Sequence, residues 1–159
     1  MKKQANSKSC FVCGVENHHG LRINFYEETA GKILARTTVP EHFQGYPGIV
    51  HGGIIAAMLD EVSGRTIMGE NDAPRFMVTA SLSLRYRRPV PVMKPLKLVG
   101  ILREDSGSTA RVHGEVFDEN DMLLAECDAV MAAVPKTVNE SMKNLSAEDW
   151  KVYPDEVGS

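Results

Sequence analysis

Between Gly20 and Tyr26 the chain alternates Leu21, Ile23 and Phe25 with Arg22, Asn24 and Tyr26, and the alternation resumes from Lys32 to Val39 after the turn Thr29-Ala30-Gly31. A period of two marks half-buried strands, so a hairpin is expected. Pro40 stops the second strand, and the prolines and glycines between Pro40 and Gly48 predict a loop. From Gly52 to about Met68 the pattern becomes helical: Ile54, Ile55, Met58, Leu59, Val62 and Ile67 cover more than one stripe. A helix so apolar is mostly buried. After the polar loop Gly69 to Pro74, Val78, Ala80, Leu82, Leu84 and Tyr86 alternate with Thr79, Ser81, Ser83, Arg85 and Arg87, the clearest strand in the chain. Three more strands are expected near Leu96–Arg103, Thr109–Phe117 and Leu123–Val134. The turns Asp105-Ser106-Gly107-Ser108 and Asp118-Glu119-Asn120-Asp121 join them as hairpins.

The order β-β-α-β-β-β-β predicts an α+β domain over residues 10–135, in which a six-stranded antiparallel sheet curls around one long central helix. Residues 1–9 are expected to be a flexible N-terminus, and 136–159 a tail or short docking helix. Thr79, Ser81 and Ser83 make the second face of the sheet polar, which makes pairing between subunits plausible.

With 43% hydrophobic and 25% charged residues, the 159-residue chain has the balance of one globular domain. A net charge of −3 and a pI near 6.0 give no electrostatic footprint for nucleic acid. The one basic cluster, Arg85-Tyr86-Arg87-Arg88, reads either as a solvated strand end or as a phosphate contact. No apolar run has the ~18 residues of a membrane span and no secretory stretch opens the chain, so a cytoplasmic location is expected. Three cysteines argue against a disulfide framework. Cys10 and Cys13 form a CxxC without a second pair, and a tetrahedral site would need His18, His19 or another subunit. The pair is expected to be structural and metal-free, Cys127 to lie in the core, and no cofactor to be used.

Gly52 and Gly53 open the buried helix, where unpaired N–H groups and the helix dipole suit a developing oxyanion. They serve a tight loop-to-helix turn equally well. Asp60 shares a stripe with Ala56, Ala57, Ser63 and Gly64, leaving room for a ligand beside a carboxylate suited to general-base work. The alternative is a structural Asp bonded to a loop. Glu61 stands four residues before Arg65 and reads as an exposed helical ion pair. Thr79 could orient a water or simply follow strand preference. His51 could bond a loop carbonyl or touch a ligand.

The run Phe43-Gln44-Gly45-Tyr46-Pro47-Gly48-Ile49-Val50-His51-Gly52-Gly53, then Asp60, Val78-Thr79-Ala80-Ser81-Leu82 and Tyr86-Arg87-Arg88-Pro89, resembles the PaaI-like hotdog-fold thioesterases. Cys10-Phe11-Val12-Cys13-Gly14 with Asn17 and Gly20-Leu21 is similar to the N-terminal segment of many of them. The resemblance implies a cofactor-free hydrolase of acyl-CoA or related thioesters. It implies Asp60 as general base or nucleophile, the Gly52 N–H as the group that polarises the thioester carbonyl, and Thr79 as the group that orients the lytic water. It further implies an active site shared between the subunits of a dimer, with dimers often paired into tetramers. His51 joins the catalytic set as a neighbour of the helix start, and Gly53, Gln44, Gly45, Arg85, Arg87 and Arg88 are the expected substrate contacts. Some relatives carry an Asn about six residues before the His. Gly45 stands there in this chain, with Gln44 beside it. Two alternatives stay open: a hydroxyacyl-thioester dehydratase, because His42-Phe43-Gln44-Gly45-Tyr46-Pro47-Gly48 resembles the His-Phe-Pro loop of those enzymes, and a non-catalytic acyl-CoA sensor.

Overall fold

The computed structural model describes all residues except 70, 72–73, 139–148 and 156–159. The six expected strands are present as β3 (Phe25–Thr29), β4 (Lys32–Thr38), β5 (Met77–Tyr86), β6 (Pro95–Asp105), β7 (Thr109–Phe117) and β8 (Leu123–Ala133). They wrap helix α1 (Gly52–Arg65) in the architecture named the hotdog fold. Two differences concern the chain ends. A short strand β1 (Lys2–Lys3) pairs with β3, so the antiparallel sheet has seven strands in the order β1-β3-β4-β6-β7-β8-β5. Strand β2 (Asn6–Ser7) pairs with β9 (Trp150–Lys151) in a separate ribbon.

Residues 1–9, expected to be flexible, are therefore built into the body. Gln4, Ala5 and Asn6 are buried. The cause is Arg65 at the end of α1, which sequence spacing assigned to an exposed pair with Glu61. Its side chain is only 1% exposed and its guanidinium lies between the rings of Phe25 and Trp150. One Nη donates to the Ala5 carbonyl at 2.6 Å, and Nε donates to Glu61 at 2.9 Å. A buried guanidinium needs acceptors, and the N-terminal arm supplies one. Trp150 of the C-terminal segment completes the enclosure. Of the proposed docking helix, residues 139–148 lie outside the described residues.

The stretch Gly20–Asn24 is not part of the first strand. Leu21 and Ile23 direct their N–H groups to the carbonyls of Phe11 and Val12 instead, and Arg22 sits at φ +52°. The alternation there reflects packing against the Cys10–Cys13 turn. Helix α1 also ends at Arg65, three residues earlier than its apolar pattern, and continues as a turn in which Ile67 and Met68 remain buried.

Ile55, Met58, Leu59 and Val62 are the core face of α1, against Phe25, Ile33, Leu96, Leu98, Val116 and Cys127 of the sheet. Each such side chain contributes about 1.5–3 kcal/mol on burial. The helix lies very close to the sheet at Gly100 of β6 and Gly114 of β7, which are register partners. A Cβ on Gly100 would stand 2.6 Å from the Val62 carbonyl oxygen, and one on Gly114 would stand 2.8 Å from Cys127 Sγ. Gly100→Ala is expected to lower unfolding stability by about 1–3 kcal/mol, since the clash is with helix backbone. Denaturant unfolding with an unchanged m-value checks it.

Candidate active site

The start of α1 depends on its cap. His51 is the N-cap, and its Nδ1 accepts the Gly53 N–H at 2.9 Å. The His51 carbonyl accepts from Ile54 at 2.9 Å and from Ile55 at 3.2 Å. Of the four N–H groups with no i−4 partner at this helix start, those of His51 (to the Phe43 carbonyl at 3.0 Å), Gly53 and Ile54 are thus occupied within the chain. Among the described residues the Gly52 N–H has no acceptor, which leaves one unpaired donor at the positive end of the helix. His51 acts through this cap. Gly53, expected to meet substrate, spends its N–H on His51.

Gly52 opens onto a cavity of about 630 Å³ whose wall includes Gly45, Tyr46, His51, Arg87 and Arg88. The Tyr86 hydroxyl donates to the Gly52 carbonyl at 2.9 Å and fixes the loop-to-helix corner against the end of β5. Gln44 does not face a ligand with its oxygen: Oε1 accepts the Gly48 N–H at 2.9 Å and closes the loop before the helix. Of the three expected phosphate contacts, Arg87 forms a close ion pair with Glu126, and Arg85 is 3.7 Å from the same carboxylate. Arg88 lines the cavity with no carboxylate against it among the described residues.

Asp60 is two turns further along α1, half-buried, in a second cavity of about 320 Å³ that also contains Thr79, Glu61, Cys10 and Cys13. Thr79 Oγ1 donates to Asp60 Oδ1 at 2.5 Å. Strict alternation along β5 would put Thr79 on the face opposite Leu82. The strand instead carries a bulge: Thr79 pairs with Met131 and Ser81 with Val130, leaving Ala80 without a partner. The extra residue turns Thr79 onto the helix side together with Met77, Leu82 and Leu84, which bulges commonly do beside functional sites. No glycine or proline marks the bulge in the sequence, so period-two reasoning could not find it.

Cys10 and Cys13 lie in this second cavity, beside the site rather than apart from it. Hydrogen bonding from Cys13 holds the Cys10 thiol down to about 7, while that same bond and burial push Cys13 up. Cys127 is in the core as expected, and burial raises its thiol. His18 and His19 are exposed and take no part, and His113 is bonded to Asp128 at 2.9 Å.

The description "Thioesterase superfamily" matches residues 47–125 of this chain. The match covers just under half of the chain. The matched segment runs from the loop before α1 through Asp60 and Thr79 to β8. Acyl-coenzyme A thioesterase THEM4 of Rattus norvegicus is 30% identical over 83 residues, which are 52% of this chain and 34% of that protein. Acyl-coenzyme A thioesterase THEM5 of Homo sapiens is 33% identical over 70 residues, 43% of this chain and 26% of that protein. The matches span about a third or less of these curated relatives. A solved thioesterase superfamily protein superposes with a TM-score of 0.71 at 28% identity, covering 79% of this chain and 63% of that one. The protein smu.793 of Streptococcus mutans UA159, solved bound to acetyl CoA, superposes with a TM-score of 0.64 at 22% identity, covering 72% and 90%.

The His51 cap should account for the firmness of the helix start. His51→Ala is expected to cost about 0.5–2 kcal/mol of stability, while His51→Asn recovers most of it because Asn is a strong N-cap. Thermal unfolding of the three proteins checks the order.

Proposed function

We propose that the chain hydrolyses an acyl-CoA or related acyl thioester to the free acid and thiol, in a site assembled from two subunits. The observation that carries this reading is the Asp60–Thr79 pair. A carboxylate and a hydroxyl, held 2.5 Å apart by a strand bulge, border a cavity large enough for a ligand. Asp60 acts as general base on a water, or attacks the carbonyl carbon directly, and Thr79 orients the water. The Gly52 N–H polarises the thioester carbonyl.

Both parts cannot serve one carbonyl within one chain. Gly52 and Asp60 are eight residues apart on a helix, or about 12 Å at 1.5 Å per residue. The free edge of the sheet offers the means of bringing them together: β5 is the last strand, ten residues long and exposed at Val78–Ser81. Long open edges are normally covered, and a second copy with its β5 alongside would do so. Asp60 of one subunit then meets Gly52 of the other. A relative solved with acetyl CoA supports CoA as the carrier, and Arg88 is the side chain best placed for its phosphates. The reading keeps the cytoplasmic setting expected from the sequence. The dehydratase alternative asks for a His beside the helix carboxylate, whereas His42 is exposed and stacks on the Phe43 ring with centroids 4.3 Å apart.

Asp60→Asn keeps the acceptor that Thr79 uses but can neither take a proton nor attack. Its kcat in a thiol-release assay with short, long and aromatic acyl-CoAs should fall about 10²–10⁴-fold with the circular dichroism unchanged. Thr79→Ala should lose less. Retention of more than about a tenth of wild-type kcat by Asp60→Asn removes the general-base role. Tight binding of a non-hydrolysable acyl-CoA analogue with no turnover by the wild type would make the protein a sensor.

A further inference from the structure

We propose that Cys10, Cys13 and Glu61 form a binding site for one thiophilic divalent cation of the zinc class, which fastens the N-terminal segment to α1. The inference is independent of the reaction assigned above. From sequence spacing the CxxC lacked further ligands, and the structure supplies one from an element 48 residues away: the two Sγ atoms and a Glu61 carboxylate oxygen all lie within 4.8 Å of one another. Cys10 Sγ is 3.8 Å from Glu61 Oε2. Ligands at about 2.3 Å (sulfur) and about 2.1 Å (oxygen) on a tetrahedron stand about 3.6 Å apart, so the three donors need little movement to close on an ion.

The turn is built for this geometry. The Val12 N–H donates to Cys10 Sγ at 3.3 Å, and N–H donors aimed at a cysteine sulfur favour its ligating thiolate form. The Gly14 N–H donates to the Cys10 carbonyl at 2.9 Å, and a Cβ on Gly14 would come within 2.2 Å of that oxygen, so only glycine allows the turn to close this tightly. Asn6 Nδ2 holds the Cys13 carbonyl at 2.9 Å, and Ser7 Oγ accepts the Cys10 N–H at 3.2 Å. Two cysteines fixed by four side-chain and backbone contacts lose little freedom on binding.

Charge and coordination also balance. The two thiolates and Glu61 carry three negative charges, against two on the cation and one on the buried Arg65 that bonds the other Glu61 oxygen. On binding, two S–H bonds are replaced by two sulfur–metal bonds and the protons pass to solvent; nothing is oxidised or reduced. All three residues line the 320 Å³ cavity, from which a water can supply the fourth ligand. Among the described residues no other group of three His, Cys, Asp or Glu side chains converges in this way.

The test is cobalt and zinc titration of the full-length, reduced, chelator-treated protein, with wild type, Cys10→Ser and Glu61→Gln compared. The wild type should bind one Co²⁺ per chain with a thiolate-to-cobalt charge-transfer band, should lose that band to equimolar Zn²⁺, and should melt at a higher temperature with zinc than without. Cys10→Ser should lose the band. Glu61→Gln, which keeps an oxygen acceptor for Arg65, should bind more than about tenfold more weakly, since even outer-shell changes cost 10–100-fold. A wild type with three titratable thiols and no band would overturn the proposal. So would a Glu61→Gln protein of unchanged affinity, or a purified protein whose Cys10 and Cys13 are joined as a disulfide.

Discussion

Helix α1 reaches its depth in the sheet because Gly100 and Gly114, opposite each other on β6 and β7, have no side chains where the Val62 carbonyl, Leu59 and Cys127 crowd the centre. A side chain at Gly100 would press on the helix backbone, and one at Gly114 on Cys127 and Leu59. With the helix seated, Ile55, Met58, Leu59 and Val62 fill the concave face, and the rotation of α1 about its axis is fixed. That rotation decides which residues flank the core stripe. Asp60 falls on the side toward β5, Glu61 on the side toward the Cys10–Cys13 turn, and Arg65 ends between Phe25 and Trp150. Site, N-terminal arm and C-terminal strand are all referred to one seated helix.

Within that frame the two groups to which the proposed reaction gives catalytic roles are separated along the helix. Among the described residues the start of α1 offers one free backbone donor, since His51 and the Phe43 carbonyl take up the others, and this donor faces the cavity walled by Arg87 and Arg88. The carboxylate lies about 12 Å away in a different cavity, with a hydroxyl pinned to it. An electrophile-polarising group and a base must converge on one carbon to accelerate acyl transfer. A chain with an open ten-residue edge strand beside the carboxylate has the means to bring a second copy's donor there.

Much of this was legible in the sequence. The six strands and the helix followed from periods of two and 3.6, because burial on one face is what fixes those periods. The places of Gly52 at the helix start, Asp60 on the helix and Thr79 on β5 followed from the same periods, while their roles rest on the resemblance. The misreadings share a cause, which is that they depend on tertiary partners. Arg65 looked like half of a surface pair because its rings come from Phe25 and Trp150, distant in the chain. The N-terminal nine residues looked free because their anchor is that same arginine. Leu21 and Ile23 alternate like a strand yet bond to a turn. The bulge at Ala80, which turns Thr79 toward Asp60, leaves no compositional mark at all.

The shared site is the central claim, and mixed subunits test it most directly. Gly52→Pro removes the free N–H at a helix position where proline is well tolerated, and a Cβ there meets only the Tyr86 ring at ordinary contact distance. Gly52→Pro and Asp60→Asn should each be nearly inactive alone. Unfolded and refolded together in equal amounts, they should recover about a quarter of wild-type activity, because half of the dimers then hold one intact site of two. No recovery in a mixture shown by mass spectrometry to contain the mixed dimer would mean that each chain carries out the reaction by itself.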